Sequence, residues 1–481
     1  MTVIRFRWVF CQLETLQQCL PQCVRRTLDE LPESLDETYE RVIMEIKRTN
    51  QVHAYRMLQC LTVASRPLSV AELAELLAFD FDVPHGGIPK LNSDWRWEDH
   101  EQAVLSTCSS LITVLPGHGS PIVQFSHFSV KEFLTSDRLA KSTKDISRYH
   151  ISLSDAHMVL AQACLGVLLS DLDVDHDANC VPLARYAAEH WVAHAQVEDV
   201  ASRVFDGMKY LFDPDKPHFE AWVQLHDVDA HAYGRIIFPN RPDPDPGARS
   251  TSYAALCGFH EIVEHLTLKY PQYASVRGCR CGTALHSASF GGHLKTVRYL
   301  LEQGVGVDVR DTTSDTPLLC ATWGGHSDIV QCLLEHGADA DFQNFTQNTP
   351  LSLAVSRGHV DIVRVLLEHN AEVNSHDNRG DTALHLAIRG IGSKDDCPHF
   401  VRLLLEHGAN ASARNAEHRT PLHLVSMDYW SLDVARILLE HGADIDAEDK
   451  EGRTPLQVAS VGGQGKIVRL LSDYRSGRAQ T

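Results

Sequence analysis

Five short stretches carry side chains at spacings that could do chemistry. "GQGK" at Gly463 to Lys466 has the glycines and the lysine of a phosphate cradle. A working cradle needs G-x-x-x-x-G-K-[ST] after a strand, so that backbone N–H groups, the lysine and a magnesium-binding hydroxyl meet the phosphates. That pattern occurs nowhere in the chain, and "GQGK" has no strand before it. "DLDVDHDAN" (Asp171 to Asn179) alternates acids as a calcium loop does. His176 stands where its sixth-position glycine belongs and Pro182 where its last glutamate belongs, so a solvated loop is expected. "EHWVAH" sets His190 and His194 one helical turn apart, a zinc spacing with no third ligand. Cys279 and Cys281 in "GCRCG" have no second pair at metal spacing and read as loop thiols. In "VQFSHFSVKEFLTS" (Val123 to Ser136) a strand leads to His127 and then to a helix, and His127 reads as a packing or surface residue. No Ser-His-Asp or Cys-His arrangement has a recognisable signature. The expectation is no catalytic residue, no cofactor and no metal.

The elements that position side chains come from the bulk numbers and the pattern. A chain of 481 residues allows two to four domains, and 43% hydrophobic with 22% charged residues fits a globular protein with real cores. The net charge of −19 is spread, with 28 acidic against 21 basic residues from position 251 onward and 35 against 23 before it. Neither part has the basic excess that draws phosphate backbones or anionic membranes. The thirteen cysteines are scattered, no apolar leader follows Arg5 and Arg7, and no run reaches about 20 apolar residues. A reduced chain with free thiols is expected, cytoplasmic or nuclear and not secreted.

The C-terminal half repeats. "GTALHSASFGGHLKTVRYLLEQG" returns as "DTPLLCATWGGHSDIVQCLLEHGAD", "NTPLSLAVSRGHVDIVRVLLEHNAE" and three further copies, with Thr283, Thr316, Thr349, Thr382, Thr420 and Thr454 in register. Ser250, 33 residues before Thr283, opens a degraded copy, making seven units. In the unit that Thr316 opens, the Thr caps a first helix, Pro317 suits its first turn, "GGH" breaks the chain and the stripe Ile329, Val330, Leu333 and Leu334 drives a second helix. Gly337, or Asn370 in the fourth unit, supplies the left-handed residue that ends it. A lone unit cannot bury its stripe, so the units stack. The fifth unit carries five extra residues in "GIGSKDDCPHF" and the sixth one extra around "MDYWS". "FPNRPDPDPGARS" (Phe238 to Ser250) reads as a Pro-rich linker.

Before it, "SLDETYERVIMEIK" opens with a Ser cap, three helical segments follow ("HAYRMLQCLTVA", "LSVAELAELLAF", "EQAVLSTCSSL"), and "ITVL" and "IVQFS" flank the turn "PGHGSP" as a hairpin. Three helices and a hairpin make a winged helix. Its third helix begins with the acidic "EDHEQAV" and its wing has no Lys or Arg, so direct nucleic-acid contact is not expected. "SDAHMVLAQACLGVLLS" and "PLARYAAEHWVAHA" predict a helical bundle.

The repeating units resemble the ankyrin repeat: the TPLH-like box, the GH, the paired Leu and the 33-residue period coincide. "FRWVFCQLETL", "LPESLDETYERV", "FSHFSVKEFLTS" and "YAAEHWVAHA" together resemble the part of fungal NACHT-type signal-transduction ATPases that follows the nucleotide-binding core. That resemblance implies an ATP-driven switch closed by the winged helix, with His127 at the position of a nucleotide-sensing His, although Phe128 replaces the Asp that often follows. With no phosphate cradle, the switch is not expected to run in this chain alone.

The expected architecture is mostly α: a helical segment over 1–50 following a missing NACHT core, a winged helix over 51–140, a helical bundle over 141–237, a linker over 238–249 and about seven ankyrin repeats over 250–481. Partners are expected on the concave face, at Phe290, Trp323, Arg357, Arg389, Met427, Tyr429 and Trp430 on the first helices and at Phe345, Arg379, Arg414 and His418 at the hairpin tips, because aromatic and Arg residues dominate interface energetics. The expected function is a non-enzymatic adaptor whose partner is a protein, a transcription factor or a NACHT ATPase, with no membrane contact. The alternative is a truncated or split NACHT switch.

Overall fold

A computed structural model describes residues 34–83, 87–108, 110–117, 120–142, 145–170, 181–228, 245–279, 282–390, 397–427 and 432–477. The chain forms two compact units, Met1–Val228 and Asp229–Thr481. The acidic stretch at 171–179 and most of the expected linker lie outside the described residues.

In the first unit α1 (Leu35–Met44) starts where expected: the Ser34 hydroxyl accepts the Glu37 N–H at 3.2 Å. The winged helix is built from α2 (Gln51–Val63), α3 (Val70–Leu76) and α4 (His100–Cys108) with the hairpin β4 (Ile112–Leu115) and β5 (Ile122–Phe125). A two-residue strand, β1 (Leu68–Ser69), pairs antiparallel with β5, giving the order β1-β5-β4. A second small hairpin joins β2 (Phe79–Asp80) to β3 (Lys90–Leu91). Ser69 and Glu72 close a capping box on α3, and buried Glu72 also takes the Arg66 guanidinium through two bonds of 2.6 and 3.0 Å. A carboxylate removed from water needs such a partner.

Two short helices, α5 (Phe128–Leu134) and α6 (Asp137–Ala140), follow the hairpin. Next come α7 (Leu153–Leu168), α8 (Ala184–Ala195), α9 (Val200–Arg203), α10 (Phe205–Phe212) and α11 (His218–Leu225). Leu160, Ala163, Cys164 and Val167 of α7 are fully buried, and α7 packs on both α8 and α2, so the bundle and the winged helix share one core. Trp191, Phe212, Phe219 and Trp222 cluster with ring centroids 5.3 to 6.1 Å apart, and the Trp222 indole donates to the Ala188 carbonyl at 3.0 Å.

The second unit is seven helix pairs among the described residues: α12 (Pro246–Leu256) with α13 (His260–Lys269), α14 (Ala284–Gly291) with α15 (Leu294–Glu302), α16 (Pro317–Gly324) with α17 (Ser327–Glu335), α18 (Pro350–Arg357) with α19 (Val360–Glu368), α20 (Ala383–Arg389) with α21 (Cys397–Glu406), α22 (Pro421–Met427) with α23 (Leu432–Glu440), and α24 (Pro455–Val461) with α25 (Gly465–Arg475). First helices pack on first helices along the array. Second helices do the same, with thinner packing between α19 and α21, where the fifth pair carries its insertion.

The first pair corrects the sequence reading. Helix α12 begins at Pro246, inside the stretch read as linker, and its cap is Asp245, whose carboxylate accepts the Gly247 and Ala248 N–H groups. Ser250 is a buried mid-helix residue bonded to the Gly247 carbonyl. A proline that marks a linker also suits the first helical position, and here the second role wins.

Candidate partner-binding face

Five of the repeat loops each close on one side chain. Asp311, Asn344, Asp377, Asn415 and Asp449 use an Oδ1 to accept the N–H groups two and four residues on, at 2.7 to 3.0 Å. This lets a tight loop satisfy its own backbone. The loops bond edge to edge: the Phe345 N–H donates to the Thr313 carbonyl, Ala416 to Arg379 and Lys450 to Glu417. Asn344 and Asn415 also donate to Asp315 and Asp381 of the preceding repeat, each at 2.7 Å.

Two sets of histidines tie repeats together. Buried His286, His385 and His423 each accept the N–H of the capping Thr at Nδ1 and lie within bonding distance of its hydroxyl; their Nε2 donates to the Asp315, Arg419 or Arg453 carbonyl of the next loop. His293 and His326 donate from Nε2 to the Leu256 and Phe290 carbonyls of the preceding repeat, each at 3.0 Å. Burial holds the His286 imidazole down at about 4, and it lowers His293, His385 and His423 as well.

Asp311 is the opposite case. Burial and the neighbouring Asp315 carboxylate push it up to about 6, although the Thr313 hydroxyl and backbone N–H groups favour its charge. Asn fills the same role at 344 and 415. Asp311→Asn keeps the loop-closing oxygen and removes the like charge, so it is expected to stabilise the protein by about 1 kcal/mol at pH 7 and to do nothing at pH 4. Urea unfolding at both pH values checks this.

The residue seven positions after each capping Thr lies last or next to last in the first helix: Phe290, Trp323, Ser356, Arg389, Met427 and Val461. Trp323 is 49% exposed, Met427 is also exposed, and Phe290 is half-buried. Arg357, one position later in its own repeat, lays its guanidinium over the Trp323 ring at 3.3 Å from the centroid. Arg389 reaches back to buried Asp381 at 2.9 Å, an ion pair whose angle is poor for a hydrogen bond. At the tips Phe345 is 85% exposed, and Arg379, Arg414 and His418 are exposed too. His418 takes a φ of 55° at the loop position where the neighbouring repeats have Gly380 and Gly452. Tyr429 and Trp430 lie outside the described residues. Val461, the same register position in the last repeat, is 82% exposed and was missed; the register alone could have found it.

Family models match at this point of the molecule. The ankyrin-repeat model matches three times, over residues 251–344, 337–415 and 392–479. The C-terminal half is an array of ankyrin repeats. Residues 39–144 match the winged helix domain described for GPI inositol-deacylase. Neither matched model is a nucleotide-binding core.

Among solved structures, the ankyrin repeat domain of Bcl-3, a member of the IkappaB family, is 26% identical, covers 46% of this chain and 97% of its own, and superposes with a TM-score of 0.41. The human ASB11 ankyrin repeat domain is 27% identical over 46% of this chain and 96% of its own, TM-score 0.40. An ankyrin repeat domain from Acinetobacter baumannii AYE is 30% identical over 39% and 95%, TM-score 0.37. A curated relative, "Azaphilone pigments biosynthesis cluster protein L" of Monascus ruber, is 29% identical over 300 residues, 58% of this chain. The chain spans 61% of the length of that relative.

Away from the ankyrin face, His127 is the cap of α5. Its Nδ1 accepts the Ser129 N–H at 3.3 Å and lies 2.6 Å from the Ser129 hydroxyl, which also meets the Tyr39 hydroxyl. His190 and His194 do not converge on one point. His194 is buried, with Nε2 2.9 Å from the Tyr186 hydroxyl and Nδ1 2.9 Å from His157 Nδ1. The Ser65 N–H donates to Tyr186, so Tyr186 can donate to His194, and His194 to His157. Both His194 nitrogens are thus used, and burial lowers its pKa to about 4. Cys279 is buried beside Ser287, and Cys281 lies outside the described residues. The eight described cysteines are all free and buried. Among the described residues no group of His, Cys, Asp or Glu could hold a metal, and no helix is long and apolar enough to cross a membrane.

The sequence reading also missed Trp95 and Trp97, both about half exposed in the first unit. Arg96 between them is anchored to buried Glu75 by bonds of 2.5 to 3.1 Å, and no local spacing signals that link.

Proposed function

We propose that the chain is a non-enzymatic adaptor that binds a partner protein through the first-helix and tip face of its ankyrin repeats. The observation that carries this is the exposed set Trp323, Arg357 and Met427 near the ends of first helices and Phe345 at a hairpin tip of a regular array. Ankyrin repeats serve protein–protein interaction, and large aromatics beside arginines are the residues that dominate such interfaces. The finer reading is a transcription co-regulator, leaving DNA contact to its partner. The name of the Monascus ruber relative supports placing that role in a biosynthetic gene cluster. Proximity labelling from the full chain in its native cell tests this. Recovery of a transcription factor with wild type and its loss with Phe345→Ala is expected; a partner set unchanged by that substitution overturns it.

A second reading rests on the match over 39–144 to a winged helix: the first unit serves a NACHT ATPase supplied by another chain. It requires that residues 34–228 bind such an ATPase without the repeats.

A further inference from the structure

We infer that the ankyrin face takes an acidic, extended peptide segment of the partner, gripped by guanidinium groups on three consecutive repeats; this rests on the adaptor reading and names the partner's chemistry. Charge is sorted across the array. Over 326–342, 359–375, 397–413 and 432–447, the second helices and the chain after them, there are twelve acidic residues against three arginines. On the first helices and tips of the same repeats the exposed charge is mainly arginine. Asp377 and Asp381 there are buried; Asp377 is bonded inside its own loop, and Asp381 accepts from Asn415 of the next loop and pairs with Arg389.

Arg357, Arg379 and Arg414 lie on the fourth, fifth and sixth repeats. None of the three guanidiniums meets a carboxylate among the described residues. Arg357 is instead stacked on Trp323. A guanidinium stacked on an aromatic face keeps its N–H edge for a carboxylate, and Arg engages carboxylates through two parallel bonds. Packed helices stand about 8–10 Å apart, which sets the step between Arg379 and Arg414 on adjacent tips, while Arg357 closes on the same face from the far end of the preceding repeat's first helix. An extended chain advances about 3.3 Å per residue, which places matching carboxylates about three residues apart. Trp323 and Phe345 beside the row offer apolar contact for one anchoring side chain. A long polyanion such as nucleic acid would also meet the acidic second-helix side, which disfavours it.

The test uses the full chain and a fluorescein-labelled nonapeptide with Glu at positions 1, 4 and 7 and Leu at position 5. Its controls are the same peptide with Gln for Glu and a labelled oligothymidylate. Anisotropy is read at low and at moderate salt. The Glu peptide is expected to bind at least tenfold more tightly than the Gln peptide, with affinity falling as salt rises. The triple variant Arg357→Glu, Arg379→Glu, Arg414→Glu is expected to lose that preference while its thermal unfolding is unchanged. Equal binding of the two peptides, retention by the triple variant, or tighter binding of oligothymidylate overturns the inference. Those outcomes leave the adaptor reading standing if Trp323→Ala still abolishes partner capture, so the two failures are distinguishable.

Discussion

Trp323→Ala is expected to weaken partner binding by about 30-fold or more while leaving the fold intact. A truncated interface anchor costs about 2 kcal/mol or more, and each 1.4 kcal/mol is tenfold in affinity. The stability cost is small because about half of the residue is exposed, and its ring carries the Arg357 guanidinium. An exposed cation–π contact contributes about 0.5–1 kcal/mol. Trp323→Phe keeps an aromatic face under Arg357 and is expected to retain most of the affinity. Titration calorimetry against the captured partner, with thermal unfolding of the same samples, separates the two effects. A collapse in thermal stability would mean that Trp323 is part of the repeat packing and not a contact.

Acidification from pH 7 to pH 4.5 is expected to destabilise the protein steeply. His286 and His194 both sit at about 4 in the folded state, against about 6.5 in an unfolded chain. The unfolded state therefore binds protons that the folded state refuses. The stability these neutral histidines contribute is fully present above pH 6.5 and is lost as pH falls toward 4. The loss is about 3 kcal/mol for each by the pKa difference. The cause is geometric as well as dielectric: a proton on His286 Nδ1 would break its bond from the Thr283 N–H and put a charge into a buried site. Asp311 works the other way, since its raised pKa lets the folded state gain a proton as pH falls through 6, and it offsets part of the loss. His286→Gln preserves the capping geometry that Gln457 uses in the last repeat, so it is expected to flatten the pH dependence. Urea midpoints across the range check both statements; pH-independent midpoints would contradict them.

The repeat array was legible because its signals are local and recur. Thr caps, the first-turn proline, the GH break and the left-handed residue are each read within a single unit, and the φ values of 84° at Gly337 and 60° at Asn370 agree with the reading. The winged helix was legible for the same reason, through Ser34, three amphipathic runs and the hairpin. Strands β1, β2 and β3 are two residues long, too short to leave a pattern of alternation. The Arg96 pair with Glu75 and the His157 contact with His194 join residues 21 and 37 apart, and tertiary packing alone brings them together. Pro246 was misread because proline marks both linkers and helix starts. On the candidate face, first-helix position and residue type picked out Trp323, Arg357 and Met427, while the stacking of Arg357 on Trp323 joins successive repeats and left no trace in either repeat alone.

The most direct test of the adaptor role is cross-linked pull-down from the native cell with the full chain beside a Trp323→Ala, Phe345→Ala double variant, after confirming equal thermal stability. Capture of one dominant partner by wild type and its loss with the double variant is expected. Capture that is equal in both would contradict partner binding through the ankyrin face.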